Sequence, residues 1–270
     1  MWNPFDKHLY WLDIPSGMIY RYDPALEQHE PYFHGDVTGG FCLQADGSLL
    51  LFGAGGRISR LRDGQLSILI KSLPGEDRNR FNDVIVDSRG RVLCGTMPYV
   101  EGSLSGSLYC LEVDGSIRKL REGILLSNGL GFNDDCTTLY YADSLARTIT
   151  RFRYDTVTGT ISHASLFASL AMEDGVPDGL TVDAEGCVWL AVWDGARLIR
   201  YRPTGEIERE VAFPVKQVSS LTFGGNDLAD IYVTTAGGDN PQENGTHAGA
   251  VFRLRPGIRG KADFLSRVTL

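Results

Sequence analysis

A pair of short apolar strands recurs six times along this chain, and the recurrence limits the fold more than any other feature. The first copy is Leu9-Tyr10-Trp11-Leu12-Asp13-Ile14, the turn Pro15-Ser16-Gly17, and Met18-Ile19-Tyr20-Arg21-Tyr22. Further copies begin near residues 50, 92, 139, 188 and 231, so the spacing is 40 to 49 residues. The fifth copy shows the whole unit. Apolar runs at 179–182, 187–192 and 197–201 are separated by Ala184-Glu185-Gly186 and Trp193-Asp194-Gly195-Ala196, and a fourth run, 207–213, follows Pro203-Thr204-Gly205. Asp and Gly in the separators supply the turn geometry that reverses antiparallel strands. A four-stranded meander repeating at this period reads as an all-β, six-bladed β-propeller with four-stranded antiparallel blades.

Six such units use the whole chain, so residues 1–270 are expected to form a single propeller domain. A second repeat supports the register. Gly47 follows Ala45-Asp46, Gly90 follows Asp87-Ser88-Arg89 and Gly186 follows Asp183-Ala184-Glu185, each at the turn between the first and second strand of a unit. One short segment, 166–173, reads as helical and precedes Asp178.

Composition excludes several function classes. The formal net charge is −8 and no basic stripe with interleaved aromatics occurs, which argues against nucleic acid and anionic membrane surfaces as partners. The longest apolar runs are strand-sized, so no transmembrane helix is expected. The start, Met1-Trp2-Asn3-Pro4-Phe5-Asp6, has neither a basic segment nor an apolar one of signal-peptide type, and a cytoplasmic location is expected. The five cysteines, Cys42, Cys94, Cys110, Cys136 and Cys187, are odd in number and form no CxxC, so they read as buried free thiols in a reducing compartment.

In a propeller, the loops entering the innermost strands converge on the central channel. The residues there are Arg80-Phe81-Asn82-Asp83, Ser127-Asn128-Gly129, Pro177-Asp178-Gly179 and Val218-Ser219-Ser220, separated by about 46, 50 and 42 residues, the period of the repeat. Asn and Asp at any one of these places can be simple turn formers. Four oxygen-bearing side chains at equivalent places are harder to explain that way. Hard oxygen ligands suit Ca²⁺, Mg²⁺ or Mn²⁺, whereas Zn²⁺ more often takes His or Cys. The five histidines lie outside these positions and read as surface or loop residues. Gly102-Ser103-Leu104-Ser105-Gly106 is not a nucleophile elbow, because it is not GxSxG and joins no strand to a helix. Gly53-Ala54-Gly55-Gly56 reads as a hairpin turn and not a phosphate loop, because no helix follows it.

Five stretches resemble the SMP-30/gluconolactonase/LRE-like family: LYWLDI at 9–14, RFNDVIVDSRGRVLCGTM at 80–97, SNGLGF at 127–132, YYADS at 140–144 and PDGLTVDAEGCVWLAVWDGARLIRY at 177–201. The resemblance covers almost the whole chain. It implies a six-bladed propeller holding one divalent metal ion (Ca, Zn, Mn or Mg), and hydrolysis of a small-molecule sugar lactone to the aldonic acid by a monomer or a weak homodimer. It makes Asn128 and Asp178 metal ligands, with Asp178 also the general base. Arg80 and Asn82 hold the substrate's hydroxyls and carbonyl, and Glu101 or Tyr99 lines the pocket. The family's usual Glu-Gly-Pro-x-Trp is met here only from Met1-Trp2 onward, its Glu falling two residues before Met1. On that reading the ligand set is one carboxylate short, or the start lies further upstream. Two rival functions share the scaffold: a phosphotriesterase-like hydrolase, which would call for a more aromatic channel mouth, and a non-catalytic propeller that binds a metal, a sugar or a protein.

Overall fold

The computed structural model describes residues 1–103, 105–238 and 241–269, with Pro241 described by its backbone alone. Five antiparallel sheets have four strands in chain order and the sixth has three. They are β1–β4 (Trp2–Asn3, His8–Asp13, Met18–Asp23, Gln28–His34), β5–β8 (Thr38–Leu43, Leu49–Gly53, Ile58–Arg62, Gln65–Ile70) and β9–β12 (Asn79–Val86, Val92–Pro98, Gly106–Leu111, Ile117–Ile124). Next come β13–β16 (Ser127–Phe132, Thr138–Asp143, Thr148–Asp155, Thr160–Ser169), β17–β20 (Val176–Val182, Val188–Trp193, Arg197–Tyr201, Ile207–Ala212) and β21–β23 (Val218–Gly224, Asp230–Thr235, Val251–Leu254). This is a six-bladed β-propeller. Among the described residues the last blade has three strands where four were expected. Of the segment read as helical, 166–173, residues 166–169 instead finish the ten-residue outer strand β16, and a single 3₁₀ turn, Met172–Asp174, follows. Of Ser-Leu-Phe-Ala-Ser in that strand only Phe167 is buried, as on an outer strand that faces solvent along most of its length. Among the described residues no helix is long and apolar enough to cross a membrane.

The contacts divide the chain into two compact units. The first comprises Met1–Ser127, Asp155–Thr160 and the tail from Asp263. Its second and third sheets share a core of Leu50, Phe52, Ile58, Phe81, Val92 and Tyr109, in which Phe52 and Phe81 meet edge to face at 5.4 Å. The tail crosses the turns of this unit. Ser266 pairs with Gln44, Arg267 N–H donates to the Gly90 carbonyl at 3.0 Å, and Thr269 N–H donates to the Val113 carbonyl at 2.7 Å. Gly90 is needed twice over, since its φ is +89° and a Cβ there would stand 2.7 Å from the Arg267 side chain.

The second unit comprises Asn128–Tyr154 and Ile161–Ala262. Its core joins Tyr140, Ile149, Leu180, Val188 and Leu190, and a second cluster gathers around the fully buried Trp189 with Leu221, Phe223 and Val233.

The repeated turn between first and second strands is built on a buried carboxylate. Asp183 accepts the N–H groups of Glu185 (2.9 Å) and Cys187 (3.0 Å), the Trp189 indole N–H (2.8 Å) and Arg200 Nε (2.8 Å). Burial alone would lower the Arg200 pKa, but hydrogen bonds to Glu185, Asp183 and Glu208 raise it. Asp87 repeats the device in the first unit. It accepts the N–H groups of Arg89 and Arg91 at 2.9 Å and Arg91 Nε at 2.7 Å.

All five cysteines are buried and free, as expected. Burial raises the Cys42 and Cys187 thiols, holds Cys94 well above its ordinary value and pushes Cys110 up to about 12. The reactive thiolate is therefore scarce as well as inaccessible. A disulfide-exchange reagent at pH 8 is expected to label none of the five in the folded chain and all five after denaturation, read by chromophore release. Removing one partner of a buried, hydrogen-bonded ion pair typically costs about 3–5 kcal/mol. Asp183→Ala is expected to cost about 3 kcal/mol, the low end because Glu185 and Glu208 still face Arg200. Urea unfolding checks it.

Candidate active site

Arg80, Asn82, Asn128, Asp178 and Ser219 do not lie in loops ahead of the inner strands but within them. Asn82, Asp178 and Ser219 lie at β-bulges, where an extra residue re-aims side chains. In β9, Phe81 pairs with Thr96 and Val84 with Cys94, so Asn82 and Asp83 together face the single residue Gly95. In β17, Pro177 pairs with Val192 and Leu180 with Leu190, so Asp178 and Gly179 face Ala191. In β21, Ser219 is the extra residue between the Val218–Thr235 and Ser220–Thr234 pairs. The same irregularity occurs in β5 at Gly39, a place that a search for polar side chains passes over. Its only sequence signal is position, one repeat before Asn82.

In the first unit the structure brings Arg80, Asn82 and Tyr99 together. Arg80 Nη1 donates to the Phe81 carbonyl (2.9 Å) and to Asn82 Oδ1 (2.6 Å), and its guanidinium carbon lies 6.0 Å from the centre of the Tyr99 ring. Asn82 Nδ2 donates to the Ser127 carbonyl at 2.7 Å. Both ends of the Asn82 amide are thus engaged, and each retains one further hydrogen or lone pair. Gly39 lies against this group. A Cβ there would stand 1.8 Å from the Phe81 carbonyl oxygen and 2.9 Å from Arg80 Nη1. The turn at Gly53-Ala54-Gly55-Gly56 is confirmed as a hairpin turn, and Ala54 bridges to Arg80.

Tyr99 and Glu101 stand on the loop after β10, and both are exposed. That loop is tied down from below. Tyr99 and Val100 N–H donate to the Arg78 carbonyl at 3.1 Å, and Arg78 Nη1 donates to the Glu101 carbonyl at 2.8 Å. Buried Glu76 accepts the Tyr109 hydroxyl (2.6 Å) and Asn79 Nδ2 (2.8 Å), and Asn79 in turn holds Ser103 and Ser105. Of the segment Gly102-Ser103-Leu104-Ser105-Gly106, Leu104 lies outside the described residues.

In the second unit the structure brings Asn128 and Asp178 onto adjacent inner strands. Gly129 lies on the backbone of Asp178, and a Cβ at Gly129 would stand 2.5 Å from the Asp178 carbonyl oxygen and 2.6 Å from Leu180 N. Gly179 meets Ser220 in the same manner, with 2.4 Å between a built Cβ and the Ser220 hydroxyl. Asn128 is only 9% exposed, and its Nδ2 donates to the Ser144 hydroxyl at 3.0 Å. In that bond the Nδ2 end faces Ser144, and Oδ1 is turned from it. Ser144 was not among the residues expected to matter. Ser219 bonds to Thr234 through their hydroxyls at 2.9 Å.

Among the described residues no group of three or more His, Cys, Asp or Glu side chains converges as a metal site. The Asn128 carbonyl and the Asp178 carboxylate are nevertheless hard oxygen donors of the kind a Ca²⁺-like cation accepts, and such ions complete their shells with water or substrate oxygens. The donor chemistry fits a divalent cation with few protein ligands. Of the histidines, His29, His34, His163 and His247 are exposed and His8 is half-buried, as expected of residues outside the site.

Residues 1–237 match the SMP-30/Gluconolactonase/LRE-like region. The chain belongs to this family. Its relatives include pentonolactonase XacC of Haloferax volcanii, 39% identical over 277 residues, which cover 100% of this chain and 94% of that one. Among solved structures, a luciferin-regenerating enzyme superposes with a TM-score of 0.90 at 28% identity, covering 98% of this chain and 93% of that one. A calcium-binding regucalcin of Agrobacterium tumefaciens superposes with a TM-score of 0.89 at 25% identity, covering 100% and 92%. Within this SMP-30/gluconolactonase-like frame, Gly129 is one of the residues where a side chain has no room. Gly129→Ala is expected to cost about 1–3 kcal/mol, the usual penalty of overpacking, because the atoms in its way are Asp178 and Leu180 backbone. Thermal unfolding measures it.

Proposed function

We propose that this chain hydrolyses a sugar lactone to the aldonic acid, with a divalent cation held by Asn128 and Asp178. The observation that carries the reading is the seating of Gly129 on the Asp178 backbone, which sets an amide oxygen and a carboxylate on neighbouring strands. Membership of the family and the likeness to a pentonolactonase support the substrate class, and favour a five-carbon lactone as the first to try. The likeness to a calcium-binding regucalcin supports a hard cation.

A bound cation would supply Lewis acidity, making a lactone carbonyl more electrophilic and a water more acidic. The protein's own part is the handling of protons and charge. Asp178, besides being a ligand, takes a proton from the attacking water. Arg80 neutralises the negative charge that develops on the carbonyl oxygen, its guanidinium being held in place by the Phe81 carbonyl and Asn82. Asn82 offers its remaining amide hydrogen and lone pair to substrate hydroxyls. The ring oxygen leaves from the tetrahedral carbon and takes up a proton, giving the hydroxy acid. Tyr99 and Glu101 act at the rim of the substrate's place.

The test is hydrolysis of five- and six-carbon aldonolactones, followed by a pH indicator above the spontaneous rate. It is run after EDTA treatment and after return of Ca²⁺, Mn²⁺, Mg²⁺ or Zn²⁺. Turnover is expected to vanish with EDTA and to return with at least one ion. Asp178→Asn is expected to lower kcat by about 10²–10⁴, the usual range for loss of a general base. Full activity of the EDTA-treated chain would overturn the cation, and wild-type turnover by Asp178→Asn would overturn the role of that carboxylate.

A further inference from the structure

One short turn in the second unit touches Asn128 and the segment that leads into the strand of Asp178. It is the turn 144–147, between β14 and β15. Its own form is set locally: Arg147 N–H donates to the Ser144 carbonyl at 3.1 Å, Ala146 N–H donates to Asp143 Oδ1 at 3.2 Å, and Arg147 sits at a φ of +60°. Left-handed backbone at a non-glycine residue is uncommon, so something must hold it there. Toward Asn128, the turn offers the Ser144 hydroxyl, which is 2% exposed and accepts the amide N–H at 3.0 Å. Toward the segment that precedes Asp178, it offers the Arg147 guanidinium. Nε donates to the Leu170 carbonyl at 3.4 Å, and Nη2 donates to the carbonyls of Ala171 and Gly175. The contact is returned by Leu170 N–H, which donates to the Arg147 carbonyl at 3.0 Å.

The segment so gripped leads directly into β17, and Gly175 stands three residues before Asp178. Its other side is fixed as well. Gly175 has a φ of +87°, and a Cβ there would be 2.4 Å from the Trp193 carbonyl oxygen. Arg197 reaches Asp174 Oδ1 at 3.3 Å and donates to the Gly195 carbonyl at 3.1 Å. The strand that carries Asp178 therefore starts from a segment clamped between Arg147 and the turn after β18.

We infer that Ser144 and Arg147 are positioning residues that set the Asn128 carbonyl and the Asp178 carboxylate relative to each other, and so tune cation affinity. The inference rests on the reading of Asn128 and Asp178 as the cation's ligands. The physical reasons differ for the two residues. Without the Ser144 hydroxyl, the Asn128 amide loses the buried partner that anchors it beside the cation's place, and a turned amide would present its NH₂, which cannot be a ligand. Without the Arg147 fork, three carbonyls lose their common donor and the start of β17 loosens. A lysine ammonium lacks that planar fork and cannot reproduce it. Groups that orient ligands without touching the metal typically change its affinity by about 10–100-fold.

The test is calorimetric titration of the EDTA-stripped full chain with Ca²⁺, and with Mn²⁺ in parallel, alongside the melting temperature of each ion-free protein. Ser144→Ala and Arg147→Ala are each expected to raise Kd about tenfold or more, with the ion-free melting temperature little changed. Ser144→Thr, which keeps a hydroxyl, is expected to restore binding, and Arg147→Lys to recover only part of it. Wild-type Kd in both alanine variants would overturn the inference while leaving the proposed function standing. So would a loss of binding that only follows a loss of ion-free stability. A wild-type chain that binds neither ion would overturn the cation reading, and the inference with it.

Discussion

Backbone lying directly on backbone is the constraint on which the rest depends. Where Gly39 meets Phe81, and where Gly129 meets Asp178, there is no room for even a Cβ. Inner strands of neighbouring sheets in one unit approach this closely only because glycine stands at the contact. The approach has two consequences. It shuts water away from the strand backbones, which raises the value of every hydrogen bond there. It also brings polar side chains of successive repeats within reach of common partners. Arg80 and Asn82 are aligned beneath Gly39, and Asn128 beside Asp178, for the same reason.

The bulges complete this. A regular strand sends alternate side chains to opposite faces. By placing two residues opposite one, β9 and β17 break that alternation at Asn82-Asp83 and Asp178-Gly179. Regular pairing resumes at once, so the apolar residues beyond, Val86 and Val182, still enter their cores. A polar site is thus inserted into each sheet without spoiling its hydrophobic register. The far ends of the same strands carry the opposite device, the buried Asp87 and Asp183, each saturated by backbone N–H groups and an arginine. These carboxylates are fully engaged by fixed donors, which is why they serve the turn and not chemistry.

Much of this was legible in the residues. Strands of the fifth repeat fall within one to three residues of where the apolar runs place them, because an alternating run between Asp/Gly turns has few other ways to bury its apolar face. The turn glycines Gly47, Gly90 and Gly186 all adopt positive φ. The segment 166–173 was not legible as strand. It is short, lacks β-branched residues, and gains its strand state from pairing alone. The three-strand final sheet was equally invisible, since the repeat alone gives the last unit the same strand count as the others.

The amino-acid sequence by itself determined the repeat, the strand order within each unit, the burial of the thiols and the residue types at the inner strands, because all of these follow from local periodicity and turn chemistry. Only the tertiary structure decided that Asn82, Asp178 and Ser219 sit on bulges, that glycine contacts set Asn128 beside Asp178, and that Ser144 and Arg147 grip what surrounds them. Such contacts join residues far apart in the chain, and their geometry is fixed by how closely two backbones can approach. No pattern along a single strand records that distance.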